Sequence, residues 1–228
     1  MKKLSPLFLL AFLCAAFIPA ASATLTRADC VVRIESCEAI LQEFMSSPEN
    51  AIPANILQQA HALIIVNQFK AGFFLGVKDG YGVVMVKRAD GHWSLPVLIT
   101  AGEASLGFQL GAKSVETVMV ITNDETPRLL FNKRFNVGVD ARAVAGPKVA
   151  ERERDNHGII DAPVLVYSKS KGLFAGATVK FGYLSRDDES NFVLYDTRYA
   201  MPELLYSDWV KPIPEVEPLM NYVQKLAP

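Results

Sequence analysis

The sequence predicts an α+β domain: a strongly curved antiparallel sheet or partial barrel, rich in glycine, with N-terminal and C-terminal helices packed on it. Three observations point there. All fourteen glycines fall between Gly72 and Gly182. The stretches before and after are free of glycine and repeat apolar residues at helical spacing. The middle is a series of β-branched and aromatic runs separated by turn residues. Glycine inside strands costs conformational entropy, so its repetition implies curvature, bulges or close backbone approach in return.

From Thr26 to Met45, Val31, Ile34, Leu41 and Phe44 recur at helical spacing until Pro48. A shorter helix begins at Pro53, a good first-turn residue, and carries Ile56, Leu57 and Ala60. The period then changes. LIIVNQF (63–69), YGVVMVKR (81–88) and HWSLPVLITA (92–101) read as strands, the last two joined by Ala89-Asp90-Gly91, whose Asp-Gly pair suits the positive φ angles of a tight hairpin. Pro96 cannot donate to a ladder and marks an edge or bulge inside its strand. Further strands are expected over 106–113, 115–122, 135–142, 159–168 and 172–184, with a short helix over 127–133. In the last strand Leu173, Ala175, Ala177, Val179, Phe181 and Tyr183 share one face. Helical spacing returns from Asn191, and Val216, Leu219, Met220 and Val223 form one side of a terminal helix.

The chain opens MKKLSPLFLLAFLCAAFIPAASA: two lysines, an apolar run, Pro19 and an Ala21-Ser22-Ala23 cleavage motif. This reads as a signal peptide over 1–23, cleaved before Thr24, and predicts export to a periplasm or cell envelope, peripheral on a membrane. The remainder reads as a single domain, 24–228, with an N-terminal helix over 24–50, a mostly β core over 51–185 and C-terminal helices over 186–228. Without Lys2 and Lys3, the 23 basic residues fall to 21 against 24 acidic ones, a balance that gives nucleic-acid binding no support. If Cys14 leaves with the signal, Cys30 and Cys37 remain. On one continuous helix their Cα atoms would lie about 10.5 Å apart, beyond the roughly 7 Å reach of a disulfide. Either the helix starts after Cys30 or both thiols stay free.

Candidate chemistry is sparse. Ser168 and Lys171 match S-x-x-K, the pattern of serine acyl-transferases, but Val164–Tyr167 before it and Gly172 after it place it at a strand end and turn rather than at the start of a helix. His61, His92 and His157 are too far apart to read as one metal motif, and Asp187-Asp188-Glu189 reads as a solvated turn because no twelve-residue calcium loop follows. No cofactor is expected.

Five spaced blocks carry a resemblance: IPANILQQAHALIIV, GYGVVMVKRADGHWSLPVLI, SLGFQLGA, FNVGVDARAVAGP and YSKSKGLFAGATVKFG. Asp90-Gly91-His92-Trp93-Ser94-Leu95-Pro96, Gly138-Val139-Asp140-Ala141 with Gly146-Pro147, and the Tyr167–Gly176 stretch are the most diagnostic. In this order, over roughly Glu43 to Ala227, the chain resembles the SYLF domain, the actin-binding domain of the yeast Las17-binding family. Lys78-Asp79 departs from that pattern where a basic residue and glycine are usual, and Lys148-Val149 where glycine and arginine are. The first departure falls where a loop is expected. The resemblance implies a non-enzymatic module that associates with phospholipids. It does not extend to actin, because the eukaryotic actin-binding segment is replaced here by the apolar leader and an acidic helix.

The reading is therefore a phospholipid-binding module with anionic phospholipid or a membrane surface as partner. Lys169, Lys171 and Lys180, beside Leu173 and Phe174, form the first candidate contact, since cations near an interface attract anionic lipid and apolar neighbours can enter it. Lys87 and Arg88, or Arg142 and Lys148, are second choices. A structural or protein-interaction module of the envelope is the alternative, and an acyl-transferase or hydrolase using Ser168 and Lys171 the third.

Overall fold

A computed structural model describes residues 24–47, 51–72, 75–106, 111–132, 134–146, 162–172 and 182–228. Helix α1 (Arg27–Ser46) opens on a reciprocal cap: Asp29 N–H donates to Thr26 Oγ1 at 3.2 Å, and Thr26 N–H donates to the Asp29 carboxylate at 2.9 Å. The hydrogen bonds from Thr26 hold the Asp29 carboxyl below its usual range. The helix buries Cys30, Ile34, Cys37, Ile40, Leu41 and Phe44. Both cysteines lie on it as free thiols, so the one-helix branch of the disulfide argument holds. Burial pushes the Cys37 thiol up to about 12.

After the short helix α2 (Ala54–Gln58), which Pro53 precedes as its cap residue, come β1 (Ala62–Gly72), β2 (Leu75–Val86), β3 (Val97–Leu106) and β4 (Gly111–Ile121). A 3-10 helix (Thr126–Phe131) leads to β5 (Phe135–Asn136), β6 (Ala143–Ala145), β7 (Val164–Gly172) and β8 (Tyr183–Arg186). Helices α3 (Asp188–Tyr195), α4 (Met201–Tyr206) and α5 (Glu217–Leu226) follow. The eight strands form one curled half-barrel in the order β5-β8-β3-β2-β1-β4-β7-β6. Every neighbouring pair is antiparallel except β6 with β7. Ala62 to Val66 are all within 1% of full burial, so both faces of the central strand are covered there, which explains its unbroken apolar run.

Helix α1 packs on the face that carries Asn67 and Tyr81, which are opposite each other in register and both hydrogen-bond the Ser36 hydroxyl. Helix α3 docks through Asn191, whose amide accepts from Leu98 N–H at 2.8 Å and donates to Leu98 C=O at 2.9 Å, completing the β3 backbone just beyond the reach of β8. Helix α5 is tied to the hairpin by Trp93, whose indole N–H donates to Ala227 C=O at 2.8 Å.

The hairpin turn forms at Arg88–Gly91, but only Gly91 takes a positive φ, +81°; Asp90 instead accepts from His92 N–H. The strand after it starts at Val97 rather than His92, with only a Lys87–Trp93 bridge before it, and Pro96 therefore precedes the strand. Its carbonyl accepts from Tyr195 Oη at 2.6 Å. β3 ends at Leu106 and β4 starts at Gly111, so the two described ends of the expected 106–113 strand belong to β3 and β4, and 107–110 lie outside the described residues. The expected strand over 135–142 is two residues of β5 followed by a tight turn, closed by Asn136 N–H to the Asp140 carboxylate. Lys78-Asp79 lies within β2, not in a loop. Asp187-Asp188-Glu189 is the capped first turn of α3, Asp187 accepting from Ser190 N–H at 3.1 Å, so helix begins before Asn191. The face shared by Leu173 to Phe181 lies outside the described residues. Gly146 shows the close approach expected of the glycines, since a Cβ there would sit 2.1 Å from the Tyr167 ring.

Candidate functional site

The YSKSKG stretch is strand, not strand end and turn: β7 continues to Gly172, with Lys169 opposite Glu116 and Ser168 opposite Thr117. Positions 168 and 171 have opposite parity along the pleat, so they fall on opposite faces of the sheet. Ser168 Oγ meets Thr117 Oγ1 at 3.1 Å. The serine–lysine arrangement needed for nucleophilic chemistry is absent from this register.

Lys169 closes the C-terminal end of α1. Its Nζ donates to Glu43 C=O at 2.9 Å, stands 4.0 Å from the Glu43 carboxylate and 4.6 Å from the Phe44 ring centre. A cation there matches the negative end of the helix. Arg88 does the same for α4, with Nε donating to Leu205 C=O at 3.0 Å and Nη2 to Leu204 and Ser207 C=O. Lys87 Nζ donates to Pro228 O. Arg142 is exposed on the turn between β5 and β6. Lys171 occupies the β7 position opposite Ser114. Lys180, Leu173, Phe174 and Lys148 lie outside the described residues. Thus Lys87 and Arg88 are brought together after β2, while Lys169 sits five residues in from the Ala62–Val86–Ile121–Val164 row at that end of the sheet.

Beside Lys87 and Arg88 lies a cavity of about 540 Å³, lined also by His61, Asp124, Arg128 and Tyr206. His61 lies just before β1, where its Nδ1 is 2.8 Å from the Asp124 carboxylate. The Arg128 guanidinium sits 5.6 Å from the Tyr206 ring centre. Burial raises the Tyr206 hydroxyl above its ordinary range, and Arg128 opposes that shift in part. The lining offers hydrogen-bond donors and positive charge suited to an anion. No group of three metal-ligating side chains occurs among the described residues.

An exposed aromatic pair flanks α4 in the chain. Tyr199 and Trp209 are 42% and 63% exposed, with ring centres 5.2 Å apart. Two hydroxyl turns place them: Tyr199 N–H donates to Thr197 Oγ1, and Trp209 N–H donates to Ser207 Oγ. Ser207 also gives its carbonyl to Arg88, which connects the pair to the cavity wall. Arg198 and Lys211 flank the pair, are exposed, and form no ion pair with another described residue. The sequence reading passed over these rings because they sit in a stretch read as helical. The available signal was an aromatic next to a cation, Arg198-Tyr199 and Trp209-Val210-Lys211, with no apolar period to bury it. No helix among the described residues is long and apolar enough to cross a membrane.

These features define an α+β half-barrel domain in which Arg88 and the exposed Tyr199–Trp209 pair lie at the C-terminal helices, while Lys169 closes the end of α1. The chain belongs to the family of the Las17-binding protein actin regulator, Ysc84, whose model matches residues 102–226. It is 30% identical over 180 residues to the SH3 domain-containing YSC84-like protein 1 of Bos taurus, covering 76% of this chain and 52% of the relative. It is likewise 30% identical over 182 residues to LAS seventeen-binding protein 3 of Saccharomyces cerevisiae, covering 78% of this chain and 39% of that protein. The human YSC84-like protein is 29% identical over 180 residues. The chain thus spans about half the length, or less, of the curated relatives it matches. These relatives are named as binding proteins or by their domains. No solved structure matches the chain.

Proposed function

We propose that this domain is a non-enzymatic module that binds anionic phospholipid at a membrane surface. The observation that carries the reading is the exposed Tyr199–Trp209 pair set between Arg198 and Lys211. Tyr and Trp rings with an apolar body and a polar edge favour the headgroup level of a bilayer. Each nearby cation adds on the order of 1 kcal/mol against anionic lipid. The SYLF resemblance, which implies phospholipid association, supports the same reading.

Headgroup contacts from Lys169, Lys171 and Lys180 with Leu173 and Phe174, and from Lys87, Arg88, Arg142 and Lys148, belong to this proposal. Carbonyl oxygens orient Lys169 and Arg88, while the Glu43 carboxylate 4.0 Å from Lys169 Nζ offsets part of that lysine's charge. Residues 1–23 are proposed as an export signal that delivers the domain to a periplasm or cell envelope. Las17 binding and actin regulation belong to the names of the relatives and are not proposed for this chain.

The protein has two tryptophans, and Trp93 is only 3% exposed, so a change in emission on adding vesicles reports Trp209. Phosphatidylglycerol-containing vesicles are expected to shift the emission to the blue and shield it from iodide. The shift should vanish in Trp209→Phe. Unchanged emission, with no protein sedimenting with the vesicles, would refute the proposal.

A further inference from the structure

Two arginines from separate parts of the chain converge on one turn of α4. Arg88, at the start of the hairpin turn, donates from Nε to Leu205 C=O at 3.0 Å and from Nη2 to Leu204 and Ser207 C=O. Arg128, on the 3-10 helix, sets its guanidinium 5.6 Å from the centre of the Tyr206 ring. Leu204, Leu205, Tyr206 and Ser207 are consecutive, so both guanidinium groups are anchored at the same end of α4, and both line the cavity of about 540 Å³.

The charges in that lining do not balance. Its one carboxylate, Asp124, is 2.8 Å from His61 Nδ1, and Lys87 Nζ is held by Pro228 O. Among the described residues neither Arg88 nor Arg128 meets a carboxylate. The carbonyls that anchor Arg88 carry no formal charge, and its Nη1 group has no partner among the described residues. Tyr206 occupies one side of Arg128, and a guanidinium carries five N–H donors, so most of them remain for a ligand. The edge of a guanidinium fits the paired oxygens of an oxyanion. Two such forks with uncancelled charge match an anion of nearly two charges, which a phosphomonoester is at neutral pH and a carboxylate is not.

We propose that the cavity holds one phosphomonoester group between Arg88 and Arg128. Its volume exceeds that of a phosphate and lies in the range of small-ligand sites, so the ligand carries an organic body, and the Gln58 side chain in the lining suits hydroxyls on it. The phosphomonoester is either the headgroup of a lipid, in which case the cavity deepens the membrane reading above and rests on it, or part of a free compound such as glycerol phosphate.

The probes are glycerol phosphate by calorimetry, with glycerol as the phosphate-free control, and phosphatidylcholine vesicles containing either phosphatidic acid or phosphatidylglycerol. Arg128→Gln removes one receptor, and Ala89→Glu places a carboxylate in the lining. Both positions are exposed, so neither variant should shift the unfolding midpoint appreciably. Wild type is expected to bind glycerol phosphate at one site, or phosphatidic acid vesicles in preference to phosphatidylglycerol ones. Arg128→Gln should weaken that binding about tenfold to a hundredfold, and Ala89→Glu at least as much. Lys225→Gln, an exposed control, should bind as wild type does.

If wild type binds a phosphomonoester probe and either cavity variant binds it equally well, the cavity assignment is overturned. If wild type binds phosphatidylglycerol vesicles but neither phosphomonoester probe, the assignment is overturned while the membrane reading stands. If glycerol phosphate binds in an Arg128-dependent way and no vesicle does, the cavity stands and the membrane reading falls. Arg128-dependent binding of phosphatidic acid vesicles alone assigns the phosphate to a lipid. Binding to no probe overturns both.

Discussion

Replacing Asn191 with leucine isolates the contact that seats α3 on the sheet. Asn191 is 1% exposed and Leu98 fully buried, and the amide serves both Leu98 N–H and Leu98 C=O at 2.8 and 2.9 Å. Leucine keeps the same branched heavy-atom skeleton, although it is bulkier, and has neither donor nor acceptor, so both backbone groups lose their partner. An unpaired buried polar group costs about 1–3 kcal/mol, which makes the expected loss about 2–6 kcal/mol. That is a large share of the roughly 5–15 kcal/mol that stabilises a typical domain. At about 2–4 °C per kcal/mol for a chain of this size, thermal denaturation followed by circular dichroism should show a midpoint lower by about 5–20 °C. Native-state hydrogen exchange gives a local readout, since the Leu98 amide should lose protection beyond that of its β3 neighbours. A midpoint within about 2 °C of wild type, with Leu98 still protected, would show that the amide does not carry the seat of α3. The consequence reaches the candidate site because the chain leaving α3 through the left-handed Asp196, at φ 47°, supports Tyr199.

Gly146→Ala should destabilise by about 1–3 kcal/mol in chemical denaturation, because its Cβ would fall 2.1 Å from the Tyr167 ring, and Tyr167→Leu in the same chain should recover part of the loss. Arg88→Met should lower stability by about 2–3 kcal/mol through the uncapped carbonyls of α4 and also release Ser207, which spectroscopy of Trp209 would detect. Cys37 should resist thiol reagents in the native protein and react after unfolding. Its folded-state value is raised from 9.0 to about 12, so the folded form holds its proton where the unfolded form has lost it. Stability attributable to this group is therefore complete below about pH 9 and declines towards pH 12, by up to about 1.4 kcal/mol per pH unit; pH-dependent denaturation of Cys37→Ala against wild type measures the difference. Trp209→Ala with Tyr199→Ala should weaken anionic-vesicle binding by about tenfold while leaving the unfolding midpoint nearly unchanged, since both rings are exposed.

Much of the architecture was legible in the chain because its signals are local. Helical spacing placed α1 to within a residue and located α5, which starts at Glu217 with Val216 as its cap rather than at Ile213, and the Asp90-Gly91 turn located the hairpin. Strand ends were less legible. Nothing local says that Val97 rather than His92 begins β3, because that limit depends on where β2 and Asn191 supply partners. The site was harder still. Lys169 and Arg88 read as surface charges until tertiary folding brings helix-terminal carbonyls to them. Tyr199 and Trp209 lie ten residues apart and meet only because α4 folds between them. The family blocks were recognisable because they combine turn glycines with β-strand residues in a fixed order.

Vesicle flotation of the chain from Thr24 onward tests the central claim most directly. The protein should rise with vesicles containing phosphatidylglycerol, remain behind with pure phosphatidylcholine, and be released as salt screens the contact. Protein that stays at the bottom of the gradient with anionic vesicles at low salt would contradict the account.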